Sequence, residues 1–159
     1  MADNPYEGLR SLALSSQAGQ LGFSPTPELP DVFGVVADLA MQGTVTLVCL
    51  CDGTTSLYYS TGGGAIGLGQ HESIKRAAMA FLAAVQADLG EFSPGLDTSP
   101  LSADHYRFTA LTYRESRTLT AVGTDLQASG SLLGQVYRAF HDVVGAYRIW
   151  DEARGKDAR

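Results

Sequence analysis

The run Gly62-Gly-Gly-Ala-Ile-Gly-Leu-Gly69 is the pattern in this chain that comes nearest to a known chemistry, because Gly62, Gly64 and Gly67 satisfy G-x-G-x-x-G ahead of a helix. The first amides of a helix can hold a phosphate, so Gly62, Gly63, Gly64, Gly67 and Gly69 form a candidate anion or nucleotide loop. Against that stands the context. The strand before the run belongs to a hairpin rather than a βαβ unit, no G-x-x-x-x-G-K-[ST] is present, and Lys75 falls well past the turn. Glycine is also what a bulge, a tight corner or a close helix–sheet contact needs, and that structural use is the simpler reading.

Cys49 and Cys51 lie two apart in an apolar run, so on a strand they point to the same face. Such neighbours are poorly placed for a mutual disulfide, whose Cβ atoms must approach to about 4 Å. They read as buried, reduced thiols, as expected of a cytoplasmic protein. Joined by His71 they offer fewer ligands than structural zinc takes, without the paired spacing zinc sites show. His71, His105 and His141 share no H-x-x-x-H or H-E-x-x-H pattern, so neither a metal nor a cofactor is expected. Nucleophilic catalysis lacks a G-x-S-x-G elbow, and burial in the most apolar stretch would raise the thiol pKa values. No catalytic residue is assigned; an enzyme whose residues converge only in three dimensions stays an open alternative. Tyr58 and Tyr59, adjacent on one strand, must face opposite sides of the sheet. With Tyr106 and Tyr113 they are either interface aromatics or ordinary half-buried strand tyrosines.

The elements that position these residues must fit into 159 residues and 16.8 kDa, the size of one domain. With 45% apolar residues the chain can offset the entropy of folding, which argues against disorder. A formal charge of −6 argues against non-specific nucleic-acid binding, which requires a basic surface. Uncharged runs are diluted by Gly, Ser, Thr and Gln, so no membrane insertion is expected. Met1 to Arg10 carries Asp3 and Glu7 and lacks the basic-then-apolar order of a signal peptide, which predicts a cytoplasmic protein. Arginine supplies nine of the eleven basic residues, the usage a GC-rich bacterial genome would favour.

Asn4 to Ser16 predicts a short helix capped by Asn4, with Pro5 at its first position and Tyr6, Leu9, Leu12 and Ala13 on one side. Ser24 to Pro30 cannot be helical, because each proline disfavours helix at the residue before it. Residues 1–30 thus read as an arm and tether. Asp31 predicts an N-cap for a helix to Gln42 that presents Val32, Val35, Val36 and Leu39. Val45–Cys51 and Ser56–Ser60 predict a hairpin around Asp52-Gly53 in a type I′ turn, with both strands central in the sheet. A helix over Glu72–Leu89 follows, with Ile74, Ala77, Ala78, Phe81, Leu82 and Val85 as its stripe, then a loop over Gly90–Ala103. Tyr106–Arg114 and Arg117–Gly123 predict a second hairpin, placed nearer an edge or wet face by Arg107, Arg114 and Arg117. The last helix runs over Ser131–Trp150, and Asp151–Arg159 is a charged, fraying tail.

Residues 31–150 therefore predict a single α+β domain: an antiparallel sheet of four to five strands, helices on both faces, in helix–hairpin–helix–hairpin–helix order. The Leu50-Cys51-Asp52-Gly53 turn, the Ser60-Thr61-Gly62 exit, the Ala-rich helix after it and the amphipathic last helix resemble the roadblock/LC7 family and its profilin-like and longin-like relatives over Asp31–Ile149. That family has three strands between its second and third helices where this sequence shows two, so a third would fall within Phe92–Leu101. The resemblance implies a non-catalytic homodimeric module, paired through an edge strand and the middle helices, that binds a protein partner such as a small GTPase. A small-ligand or nucleotide-binding domain using residues 62–69 is the alternative.

Overall fold

The computed structural model describes residues 5–128 and 132–157; the expected cap Asn4 and the expected helix start Ser131 lie outside them. The architecture is α+β around one antiparallel sheet, as expected, but the sheet has seven strands among the described residues rather than four to five. The arm supplies α1 (Tyr6–Leu14) and the short α2 (Ala18–Leu21). The body follows as β1 (Val32–Met41), β2 (Gly43–Leu50), β3 (Thr55–Tyr59), β4 (Gly64–Ala65) and α3 (Glu72–Ala87). Then come β5 (Ser93–Pro94), β6 (His105–Thr112), β7 (Arg117–Val122), α4 (Gly123–Ala128) and α5 (Leu132–Asp157). The strand order is β4-β3-β2-β1-β6-β7-β5.

The main correction is β1. The segment expected as a helix from Asp31 to Gln42, the first helix of the family resemblance, is the central strand of the sheet. Nine of its ten residues are buried, so it is covered on both faces, and a strand in that setting shows a continuous apolar run instead of alternation. A bulge completes the disguise. The pairing of β1 with β6 slips between Val32 and Gly34. Val32 therefore joins Val35, Ala37 and Leu39 on one face, while Phe33 and Val36 belong to the other. The one-face set Val32, Val35, Leu39 then has helical spacing on an extended chain. Asp31 caps no helix: Gln86 of α3 donates from Nε2 to its carboxylate at 3.0 Å and accepts from the amides of Asp31 and Val32.

Other boundaries shift for local reasons. Gly53 N donates to Leu50 O and Leu50 N to Thr54 O, with positive φ at Gly53 and not at Asp52. The hairpin thus closes through a three-residue loop with a glycine bulge, not a type I′ turn. β1 and β6 take the centre expected for the first hairpin, and β3 is followed only by the two-residue β4. Ser93–Pro94 forms a third strand inside the expected loop, and α3 stops at Ala87. α5 runs through the expected tail to Asp157, with Arg154 over the Trp150 ring and 2.8 Å from Asp151.

Side-chain alternation sorts the sheet into two faces. Val35, Leu47, Leu57, Phe108 and Ala110 meet α3 and α5 on one side. There Phe81 of α3 lies edge-to-face with Phe108 and with Phe140 of α5, each at 6.0 Å. The arm covers the other side, where Ala13, Leu14, Ala18 and Phe23 pack on Phe33, Val36, Val48 and Leu111. No helix among the described residues is long and apolar enough to cross a membrane.

Candidate ligand-binding site

The glycine run is a turn and a contact. Gly62 N donates to Tyr59 O and Tyr59 N to Gly63 O, and Gly64–Ala65 then pairs with β3. A Cβ on Gly64 would stand 2.2 Å from the Leu57 carbonyl oxygen, and one on Gly69 only 1.9 Å from that of Gly53. Both positions thus let backbone approach backbone. Gly67 precedes a single 3-10 turn over Leu68–Gln70, after which α3 begins with Glu72 in its first turn. An acidic side chain there already faces the positive end of the helix dipole.

Cys49 is fully buried, and desolvation pushes its thiol up to about 12. Cys51 sits in the turn beyond β2, half-buried, its pKa also raised by burial. The ring of His71 packs on Trp150 at 4.6 Å. Among the described residues no three His, Cys, Asp or Glu side chains gather where they could hold a metal ion.

The tyrosines divide between the faces as adjacency demands: Tyr58 and Tyr113 on the arm side, Tyr59 and Tyr106 on the α5 side. The second pair marks a cavity. α3 lies directly on β1–β3, whereas α5 packs mainly on α3 and α4, which leaves space between α5 and the sheet. That space has a volume of about 460 Å³. Leu39, Val45 and Leu57 form its aliphatic floor, and Phe140 and Val144 of α5 its apolar roof.

Polar-tipped rings enter from both sides. The Tyr106 hydroxyl and His141 Nε2 are hydrogen-bonded at 2.7 Å. Tyr137 stacks on both, 5.4 Å from the Tyr106 ring and 4.6 Å from His141. Burial lowers the His141 pKa, with Arg148 adding to the effect, so the imidazole is held neutral. Desolvation raises the Tyr106 pKa, and Tyr137 raises it further. Tyr147 is pushed up to about 12 by burial and by Tyr59 beside it. Only Asp104 and Arg148, both exposed, bring charge to the lining, and Met41 stands 64% exposed at the open side.

Of the residues singled out from sequence, the cavity brings together Tyr59, Tyr106 and His141, and leaves Tyr58, Tyr113, the cysteines and the glycine run elsewhere. Tyr137, Phe140, Val144 and Tyr147 complete it. The signal for them lay in α5, where Tyr137, His141, Val144 and Arg148 follow i, i+4, i+7, i+11 along the flank of the apolar stripe. A polar-tipped flank of that kind borders either solvent or a cavity.

No family model, no curated protein and no solved structure matches this chain.

Proposed function

We propose that this chain is a non-catalytic binding module that holds a small molecule between its sheet and α5. The observation that carries this is the cavity of about 460 Å³, within the range of known ligand sites, apolar in its walls and crossed by a few converging polar tips. The state of those tips supports binding over catalysis. Tyr106 keeps its proton, and His141 Nε2 is engaged by Tyr106, so the central polar atoms act as hydrogen-bonding groups with no free base among them. A ligand that binds the folded state alone raises its stability by about 2.7 kcal/mol at a hundredfold excess over Kd. Thermal denaturation against a panel of apolar and aromatic metabolites, repeated with Val144→Phe to fill the space, tests the reading. At least one compound should raise the midpoint of the wild type and not of the variant; a panel that moves neither sinks the proposal.

A second reading, a homodimeric interaction module, is favoured by a separate observation. Leu12 and Leu21 of the arm are 69% and 44% exposed beside an open groove floored by Val48, Leu50 and Tyr58. Both outer strands are two residues long, so pairing would use this face more than an edge. Sedimentation equilibrium at micromolar concentration decides it: a dimer lost in Leu12→Asp supports this reading, and a monomeric wild type removes it.

A further inference from the structure

We propose that the occupant of the cavity is an uncharged, flat, largely apolar molecule bearing a single hydroxyl or carbonyl, and that phosphate- or carboxylate-bearing compounds are excluded. This rests on the ligand-binding reading and narrows it. The interior offers no compensating charge: its polar groups are phenol hydroxyls and the imidazole of His141. A buried anion without a partner keeps a desolvation cost of several kcal/mol, more than a neutral hydroxyl returns by one hydrogen bond. The two charged lining residues, Asp104 and Arg148, are of opposite sign and lie at the exposed rim, so they supply no net attraction for either kind of ion.

Shape points the same way. Tyr59, Tyr106, Tyr137 and Tyr147 present rings from opposite walls, and ring faces and edges pack most favourably against another flat ring. The Tyr106–His141 pair, placed among apolar walls, gives such a molecule one hydrogen-bonding station. A nucleotide, whose phosphates need fixed cations or amides, finds neither here.

A matched pair of fluorescent probes isolates the charge. N-phenylnaphthylamine is neutral, and anilinonaphthalene sulfonate carries nearly the same rings with one added anion. Each is titrated into the full chain and into two variants that narrow the cavity, Val144→Phe in its roof and Gln127→Trp at its exposed mouth. The expected result is neutral-probe binding at least about tenfold tighter than the sulfonate, a gap of about 1.4 kcal/mol, weakened in whichever variant keeps its wild-type circular dichroism. Equal or tighter sulfonate binding that either folded variant weakens overturns the ligand class and leaves the site standing. Probe binding that neither folded variant alters overturns the site itself.

Discussion

The two faces of the sheet hold their covers by different physics. On the α3/α5 face the cover is apolar, with Phe81, Phe108 and Phe140 interlocked and fully or almost fully buried. On the arm face a polar row crosses five strands in register: Tyr58, Thr46, Asp38, Arg107 and Thr120. Asp38, 2% exposed, accepts both Nε and Nη2 of Arg10 at 3.0 and 2.8 Å, and the Thr46 hydroxyl at 2.6 Å. Because Thr46 spends its proton on Asp38, the Tyr6 hydroxyl must donate to Thr46, also at 2.6 Å. Arg107, the next residue in the row, fastens the loop after β5 through the Ser99 carbonyl at 2.7 Å. An apolar cover tolerates a gap, since a cavity costs only lost contacts, and the ligand cavity lies on that face. A cover held by directional, charged bonds does not slide, and the arm and loop are pinned at adjacent places.

This contrast predicts the largest loss on the apolar face. Phe81→Ala should cost about 3–5 kcal/mol, a large part of the stability of a domain this size, when measured by urea denaturation. A loss below about 1 kcal/mol would mean that the aromatic cluster is not what joins α3 to α5.

On the polar face Asp38→Ala should cost about 3 kcal/mol, the low end for a broken buried pair, because Arg10 is 18% exposed and can turn to water. The same variant should speed proteolysis within Ser24–Pro30. Replacing both partners, Asp38→Leu with Arg10→Met, should recover most of the loss, since the pair gains little net energy over apolar packing. If the single variant keeps wild-type stability and cleavage, the arm is not held by the ion pair.

A smaller effect comes with pH. The folded state lowers the His141 pKa from 6.5, so as pH falls below that value the unfolded chain binds the proton first and stability declines. The contribution is fully present above pH 6.5 and is lost on the acid side. His141→Gln should flatten that segment of the stability–pH curve; an unchanged slope would show that His141 titrates alike in both states.

The smallest contrast is between the thiols. Cys49 lies in the apolar core and Cys51 in the turn, so a thiol reagent at mildly alkaline pH should label Cys51 first and Cys49 only at the rate of unfolding. Equal rates by mass spectrometry would contradict the tightness of that core.

Much of this fold was legible because alternation and turn chemistry are local. The stripe of α3 and the alternation of β6 each follow from a period that a few residues display, and the hairpin at Asp52-Gly53 from its turn residues. β1 was not legible. Burial on both faces erased its alternation, and a bulge gave it helical spacing, and both depend on partners far along the chain. The cavity divides the same way: Tyr106 and His141 stood out as residue types, but their meeting across 35 positions did not.

By itself, then, the order of residues determined the antiparallel α+β class, the apolar stripes and the opposite placement of Tyr58 and Tyr59, because each depends on backbone geometry within a few residues. Only the tertiary structure decided that Val32–Met41 is the central strand, that Arg10 reaches Asp38, and that α5 stands far enough from the sheet to leave room for a ligand. Those outcomes depend on which distant surfaces meet, and burial between them outweighs any local preference.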